Sequence, residues 1–296
     1  MSNGIVGVRP GGSPLILSMP HPGTGLVPEV AERLNETGLA VPDTDWWMPR
    51  LYDVADDLDP TVVEAKLSRY VIDVNRDPEG VPLYPGQATT GLCPDTTFDG
   101  APIYKPGTEP DAAEIARRRD RYFAPYHDAL SAEIERVRAA HGYALLYDCH
   151  SIRSVVPRLF PGTLPVFNIG TNAGQSCARE IEAGVADACA SASQDHVPKP
   201  RPEEAAPAAV SRDEGAEQDM SFVLNGRFKG GWITRHYGRP ADDVHAVQME
   251  LALRAYMMEG PPWTYDERAA ARTRPVLRRA LEAMIEAGAR IYGGDR

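Results

Sequence analysis

Several sequence signatures of common protein classes are missing from this chain of 296 residues. Its four cysteines are scattered without a CxxC pair, which argues against a disulfide framework and against a cysteine-only zinc site. There is no GxxxxGK[ST] phosphate loop, no GxSxG nucleophile elbow and no HExxH helix. Basic residues are outnumbered 31 to 42 by acidic ones, and the resulting formal net charge of -11 argues against a nucleic-acid or anionic-membrane partner.

Long apolar runs are also missing. None approaches the roughly 20 residues that a membrane helix needs, and residues 1–12 lack the charged-then-apolar pattern of a signal peptide. We therefore expect a cytoplasmic protein with neither a nucleic-acid nor a membrane partner. An anionic small-molecule substrate is compatible with the acidic composition, because local arginines can oppose the global charge. The oligomeric state is left open.

Two apolar segments each end in a histidine. Residues 15–19 (LILSM) run into a stiff turn that contains His21, and residues 143–148 (YALLYD) are followed by His150. Because ligands bind at the carboxyl ends of strands in open α/β sheets, two strand-end histidines predict a metal site. The alternative, a structural role for each histidine, is favoured for either one taken alone. The acidic candidates for a third ligand are Glu29, Asp43, Asp45 and Asp148, and Asp148 also fits a supporting role behind His150.

The pattern of the remaining chain predicts an α/β fold. The clearest helix covers residues 111–141, with Asp111 as its N-cap and Gly142 at its end, and a strand follows at once. The chain is expected to form one domain over residues 1–296. Further predicted features are a strand at 70–74, a site-covering loop at 77–110, an excursion at 191–219, a glycine-turned hairpin at 225–238, a strand continuing into a helix at 244–258, and a helical C-terminal tail at 265–292.

Arginines near the predicted strand ends suggest a substrate that carries carboxylates, because the guanidinium group binds carboxylates bidentately. The candidates are Arg69, Arg76, Arg153 and Arg235, whereas Arg158, Arg227 and Arg239 are interpreted as surface salt bridges. Glu250 lies at the predicted junction of strand and helix. It is a candidate general base, and the alternative is a glutamate that stabilises a helix N-terminus.

A set of motifs in fixed order makes the chain resemble a known family. The motifs are SMPHPG at 18–23, DTDW at 43–46, SRYVIDVNR at 68–76, YPGQ at 84–87, DCHS at 148–151, NGRFKGG at 225–231 and QMEL at 248–251. Together they resemble the N-formylglutamate amidohydrolases over residues 14–258. The resemblance implies a single α/β domain with a mixed central sheet flanked by helices, similar to the zinc carboxypeptidases (phosphorylase/hydrolase-like).

The resemblance also implies a reaction, the hydrolysis of N-formyl-L-glutamate to formate and L-glutamate in histidine degradation. It implies zinc as the cofactor, although Co²⁺, Fe²⁺ or Mn²⁺ would suit such ligands too. The implied roles are metal binding by His21, Asp45 and His150, substrate binding by Asn75 and Arg76 (with Arg69, Arg153 or Arg235), and general base catalysis by Glu250. Carboxypeptidase-like enzymes carry a carboxylate three residues after the first histidine, where this chain has Thr24, so Asp45 is preferred over Glu29 and Asp43. The alternatives are a hydrolase of another N-acyl amino acid and a non-catalytic carboxylate-binding sensor.

Overall fold

A seven-stranded sheet forms the centre of the computed structural model, which describes residues 4–82, 89–194 and 220–293. The strands are β1 (Val6–Arg9), β2 (Leu15–Met19), β3 (Thr61–Ala65), β4 (Ala144–Ile152), β5 (Phe167–Gly170), β6 (Phe222–Leu224) and β7 (Val244–Ala252). Their order across the sheet is β1-β3-β2-β4-β7-β5-β6. The central strands β3, β2, β4 and β7 are parallel, whereas β1 and β5 run antiparallel to their neighbours β3 and β7. The predicted α/β fold with a mixed sheet is therefore confirmed.

The helices lie between and after the strands. They are α1 (Pro28–Ala31), α2 (Glu36–Leu39), α3 (Met48–Leu51), α4 (Ala112–Arg118), α5 (Ala124–His141), α6 (Arg179–Gln194), α7 (Trp232–Tyr237) and α8 (Glu267–Tyr292). A π-helical turn at Arg119–Phe123 joins α4 to α5, and 3₁₀ turns occupy Tyr52–Leu58, Pro240–Asp242 and Leu253–Ala255. No helix in these ranges has both the length and the apolar composition needed to cross a bilayer.

Helices cover both faces of the sheet. On one face α6 and α8 pack together over a large apolar core, and on the other face α5 packs against β1 to β4 while α7 lies against β4 and β7. The long helical segment was predicted correctly from its apolar periodicity. The Asp111 carboxylate accepts a hydrogen bond from the Glu114 N–H at 2.7 Å, and Gly142 closes α5 with a φ of 83°. Both are the end groups that the sequence predicted.

Three predicted elements are wrong, and all three lie near the predicted site. The segment at 70–74 is a turn rather than a strand. The segment at 225–238 is not a hairpin, because β6 is followed by a loop and then by α7. Glu250 lies inside strand β7 instead of at a strand–helix junction, and only a 3₁₀ turn follows that strand.

The helical segment predicted at 265–292 is present as α8, and it belongs to the core rather than forming an appendage. Its apolar side chains are buried against α6 and the sheet, and the Thr273 hydroxyl donates to the carbonyl of Ala255 at 2.6 Å. Of the excursion predicted at 191–219, residues 191–194 are the last residues of α6 and residues 195–219 lie outside the described residues. The YPGQ motif at 84–87 also lies outside them.

Candidate active site

Two neighbouring parallel strands bring the predicted histidines together. β2 and β4 pair with Ser18 opposite Asp148, so the turn after β2 lies beside the last residues of β4. The Nδ1 atoms of His21 and His150 are 3.2 Å apart, and both rings are buried. The turn packs closely on the end of β3: a side chain at Gly23 would lie 2.5 Å from the carbonyl oxygen of Leu67. Glycine is therefore required where the chain turns away from His21.

Asp45 completes a group of three with the histidines. Its Oδ2 atom lies 3.7 Å from His21 Nδ1 and 3.5 Å from His150 Nδ1. The backbone N–H of Asp45 donates to the carbonyl of His21 at 3.0 Å, which fixes this loop against the end of β2. Asp45 therefore lies in the loop before α3, which begins at Met48. The carboxylate is fully buried, and neither of its oxygens has a hydrogen-bond partner among the described residues.

Two of the other candidates for a third ligand, Asp43 and Glu29, are engaged elsewhere. Asp43 Oδ2 accepts hydrogen bonds from the Tyr70 hydroxyl at 2.7 Å and from the Phe98 N–H at 2.8 Å. Glu29 accepts from the Tyr122 hydroxyl at 2.5 Å. Within the described ranges, the group of three ligand-type side chains is the one formed by His21, Asp45 and His150, with all ligand atoms within 4.8 Å of one another.

A carboxylate lies behind each histidine. His21 Nε2 is 2.8 Å from Asp73 Oδ1, and His150 Nε2 is 3.0 Å from Asp148 Oδ2. A carboxylate accepts hydrogen bonds, so each Nε2 carries hydrogen and each Nδ1 is turned toward Asp45. Carboxylate–histidine pairs of this kind orient the ligands of protein metal sites.

The spacing and the charge of these groups fit a metal ion. Tetrahedral coordination with bonds of about 2.0–2.1 Å places ligand atoms about 3.4 Å apart, close to the three separations of 3.2, 3.5 and 3.7 Å. Burial lowers the pKa of His150, but Asp148 and Asp45 outweigh it and raise the pKa to about 10. Burial raises the pKa of Asp45, yet the two histidines and Arg69 hold it below its usual range. The electrostatic field of the surrounding carboxylates therefore favours positive charge where the ligand atoms of His21, Asp45 and His150 converge. A divalent cation at this point would supply that charge.

Glu250 lies beside the histidines on the same face of the sheet. In the parallel ladder of β4 and β7, His150 is opposite Glu250 and Asp148 is opposite Gln248. The Gln248 side chain donates from Nε2 to Glu250 Oε2 at 3.1 Å, and its Oε1 accepts from the Gly231 N–H at 2.6 Å. The Gly231 contact thus fixes the orientation of the amide that holds Glu250. Burial is the main cause that raises the pKa of Glu250 to about 7.

A cavity of about 250 Å³ opens onto His21, His150 and Glu250. It is smaller than the roughly 300 to 1,000 Å³ of pockets for drug-sized ligands, so it suits a small substrate. Its apolar wall includes Phe98, Ile152, Leu159 and Phe228. The residues from the predicted site-covering loop that line it include Gly80, Val81, Pro82, Thr89, Thr90, Gly91 and Leu92.

Three of the five predicted substrate-binding residues line this cavity. Arg69 is buried, with one terminal nitrogen 3.8 Å from Asp45 Oδ1 and its guanidinium 4.9 Å from the centre of the Phe98 ring. Asn75 accepts from the Ile233 N–H at 2.8 Å, and its Nδ2 lies 3.0 Å from His150 Nε2.

Arg76 is the third of them, and it is held in place by Thr90. Its Nε donates to the Thr90 carbonyl at 3.0 Å, and a terminal nitrogen donates to the Thr90 hydroxyl at 2.9 Å.

Arg153 and Arg235 are not among the residues that line the cavity. Arg153 pairs with Asp99 at 2.6 Å, and Arg235 Nε donates to the carbonyl of Gly230 at 2.9 Å.

Sequence reasoning missed three residues that the structure brings to this site. Asp73 was assigned to an apolar strand, although it occupies a turn and holds His21. Gln248 precedes Glu250 by two residues, and period-two alternation along a strand was the signal that could have found it. Arg227 was interpreted as a surface residue, and it lines the cavity.

Comparisons with known proteins identify the family and support the fold. A family model described as N-formylglutamate amidohydrolase matches residues 13–257. The chain is 46% identical to the N-formylglutamate deformylase of Pseudomonas aeruginosa and 44% identical to that of Pseudomonas putida, in each case over 97% of this chain and 98% of the relative.

Among solved structures, the N-formylglutamate amidohydrolase of Ralstonia eutropha JMP134 shares the fold with a TM-score of 0.72 and 23% identity, over 95% of this chain and 97% of that one. A gene product of Agrobacterium tumefaciens shares it with a TM-score of 0.64 and 20% identity, over 97% of this chain and 96% of that one. Because the family model covers most of the sequence and the curated relatives match it almost end to end, this chain belongs to the N-formylglutamate amidohydrolase family.

Proposed function

We propose that this protein hydrolyses N-formyl-L-glutamate to formate and L-glutamate with the help of one divalent metal ion. The proposal is supported by the names of the two Pseudomonas relatives and by their identity over nearly the whole chain. The observation that carries it is the convergence of His21, Asp45 and His150 beside a buried glutamate in a small cavity.

His21 Nδ1, His150 Nδ1 and the Asp45 carboxylate would hold the ion. The unpartnered oxygens of Asp45 and the ligand spacing are the observations that support this assignment. A bound divalent metal supplies a Lewis acid that polarises the formyl carbonyl and makes water more acidic. Zinc is preferred for a site of two imidazoles and one carboxylate, and Co²⁺, Fe²⁺ and Mn²⁺ are the alternatives that elemental analysis would distinguish.

Glu250 would act as the general base and then as the general acid. It would accept a proton from the water that attacks the formyl carbon, and it would return a proton to the nitrogen as the C–N bond breaks. A pKa of about 7 suits both transfers near neutral pH. The hydrogen bond from Gln248 would keep one carboxylate oxygen fixed and leave the other free for the proton.

Arg69, Asn75 and Arg76 would bind the substrate. Arg69 is buried and makes no hydrogen bond within the described residues, so its guanidinium can donate to the oxygen on which negative charge develops. Asn75 and Arg76 would hold the α-carboxylate, which is attached to the carbon that bears the reacting nitrogen. Arg153 and Arg235 do not line the cavity, so we propose no substrate contact for them.

Release of free L-glutamate, the product common to every N-acyl-L-glutamate, tests the activity across a panel of these compounds, and formate is measured as the second product of the N-formyl substrate. The metal-replete protein is expected to release formate from N-formyl-L-glutamate and to act poorly on N-acetyl- and N-succinyl-L-glutamate. Faster hydrolysis of another N-acyl group would replace the substrate assignment. Binding of these compounds without turnover would instead favour a carboxylate-binding sensor.

The metal site needs a separate test. His150→Ala is expected to lose both bound metal and activity, and Arg153→Ala provides a matched control that leaves the three ligands in place. Full activity in His150→Ala would refute the proposed metal site.

A further inference from the structure

We propose that Arg227 selects the substrate by pairing with its side-chain carboxylate. This inference rests on the proposed function and deepens it, because it names the residue that distinguishes glutamate from uncharged amino acids. N-Formyl-L-glutamate carries two carboxylates, and Asn75 with Arg76 accounts for only one of them.

The basic residues of the cavity narrow the choice to Arg227. Among the described residues that line it, the arginines are Arg69, Arg76 and Arg227, and none is a lysine. Arg69 lies against Asp45, next to the reacting centre. Arg76 is fixed by Thr90 and is 3.5 Å from Asp73. Arg69 and Arg76 already have proposed roles, at the reacting centre and at the α-carboxylate, and Arg227 is the third arginine that lines the cavity.

Arg227 packs on the apolar wall of the cavity, whereas Arg76 is held by Thr90 of the loop at 77–110. The Arg227 Nε donates to the carbonyl of Leu159 at 2.8 Å, and its guanidinium lies 5.5 Å from the centre of the Phe228 ring. Leu159 and Phe228 belong to the apolar cluster that contains Phe160. An ion pair formed against such a wall is less screened by water than one at the surface.

The loop that carries Arg227 is anchored at both ends. At its start, the Asn225 N–H donates to the carbonyl of Ile169 at 2.7 Å and the Asn225 side chain donates to the Thr171 hydroxyl at 2.8 Å. At its end, the Gly231 N–H donates to Gln248, the residue that holds Glu250. The position of Arg227 is therefore tied to that of the catalytic carboxylate, as a specificity residue requires.

The substrate has the matching geometry. Its α-carboxylate is attached to the carbon that carries the formyl nitrogen, and its side-chain carboxylate lies two methylene groups further on. A carboxylate at that distance needs its own cation, away from the one that holds the α-carboxylate. We assign this role to Arg227.

Arg227→Met removes the charge and keeps an apolar stem against Phe228. The measurement is kcat/KM for N-formyl-L-glutamate and for N-formyl-L-glutamine, which has the same shape without the charge. We expect about a 100-fold loss on the glutamate substrate and less than about a threefold change on the glutamine substrate. The matched control, Arg239→Met, removes a surface arginine that pairs with Asp242 and does not line the cavity, so it should leave both values near those of the wild type.

An unchanged preference for glutamate in Arg227→Met would overturn the inference while leaving the proposed function intact. The opposite case, in which the wild type releases no formate from N-formyl-L-glutamate, would refute the proposed function. If Arg227→Met is inactive on both substrates, Arg227→Lys decides the matter. A preference for glutamate retained at about tenfold or more supports the role of charge at this position, and equal rates on the two substrates contradict it.

Discussion

The two faces of strands β4 and β7 differ in polarity, and this difference explains how the sheet can hold both a core and a candidate site. On one face Tyr147, Cys149, Met249 and Leu251 are buried in the apolar core under α6 and α8. On the other face, the residues in between are Asp148, His150, Gln248 and Glu250. Successive side chains in a strand point to opposite faces. One pair of strands therefore supplies side chains to the core and to the candidate active site at the same time.

The position along the strands matters as much as the face. Toward their amino ends, the site face of the same strands carries Ala144, Leu146, Val244 and Ala246, which pack in the apolar core under α5. Polar side chains replace them only toward the carboxyl ends, where the turn after β2 and the loop with Asp45 also lie. The site is thus confined to the edge of the sheet formed by the carboxyl ends of the parallel strands, which is where ligands bind in open α/β sheets.

Among substitutions on these two faces, Glu250→Gln on the site face is expected to have the largest effect on kcat. The neutral amide cannot accept a proton, so kcat should fall by about 1,000-fold, or about 4 kcal/mol. Bound metal and substrate affinity should be retained, because the three metal ligands are untouched. Steady-state kinetics with elemental analysis would check this, and a kcat within tenfold of the wild type would rule out Glu250 as the base.

Met249→Ala changes the adjacent residue on the opposite face. It removes a fully buried side chain, so the free energy of unfolding should fall by about 3 kcal/mol. Because the site face is unchanged, kcat at a temperature where the variant stays folded should be close to that of the wild type. Denaturant titration and formate release measure the two quantities. A large loss of kcat with unchanged stability would mean that the two faces are not independent.

Gln248→Met should have a smaller effect on activity. Methionine keeps the length of the side chain but cannot donate to Glu250 or accept from Gly231. We expect kcat to fall by about 10- to 100-fold with little change in KM and in bound metal. Gln248→Glu keeps the acceptor for Gly231 and lacks the donor, so it should be no better than methionine. Wild-type kcat in either variant would show that Glu250 needs no support from this residue.

His127, which is buried on the same side of the sheet as the site, should make the free energy of unfolding depend on pH. Its Nε2 donates to the carbonyl of Val74 at 2.8 Å, next to Asn75, and its Nδ1 lies 3.0 Å from the Tyr237 hydroxyl. Burial lowers the pKa of His127 to about 4, below the value of about 6.5 for an exposed histidine. Between pH 4 and pH 6.5 the unfolded chain binds more protons at this histidine than the folded chain does. The contribution of neutral His127 to the free energy of unfolding is therefore complete above pH 6.5 and is lost as the pH drops toward 4.

When the pH drops from 7.5 to 5.5, His127 should lower the free energy of unfolding by about 1 kcal/mol. Denaturant titrations at the two pH values measure the loss. His127→Gln keeps a donor for Val74 and does not titrate, so its loss over the same range should be smaller by about that amount. An identical pH dependence in the variant and the wild type would contradict the assignment.

The sequence predicted the two histidines of this site, of which His21 lies in the turn after β2 and His150 lies near the carboxyl end of β4. His21 and His150 follow apolar runs, and that local signal is sufficient to place them at strand ends. Asp45 could be narrowed only to a short group of acidic residues. Its contact with His21 depends on how a loop folds back across the sheet edge, and no local pattern encodes that path.

The sequence-based predictions were wrong where tertiary contacts, rather than local patterns, position the polar side chains. The segment around Asp73 has the apolar composition of a strand, yet its hydrogen bonds go to other loops: the Asp73 N–H donates to the carbonyl of Leu92. Glu250 looked like a helix start because its strand is longer than the apolar pattern suggested. Arg227 looked like a surface residue because only the folded loop brings it into the cavity.

The central claim is that one metal ion, held between His21, Asp45 and His150, supports deformylation. The most direct test is to remove metal by chelation and to follow formate release from N-formyl-L-glutamate as Zn²⁺ is added back. We predict that activity rises in proportion to added metal and saturates at about one equivalent per chain. Full activity of the chelated protein, or saturation only at two or more equivalents, would contradict this account.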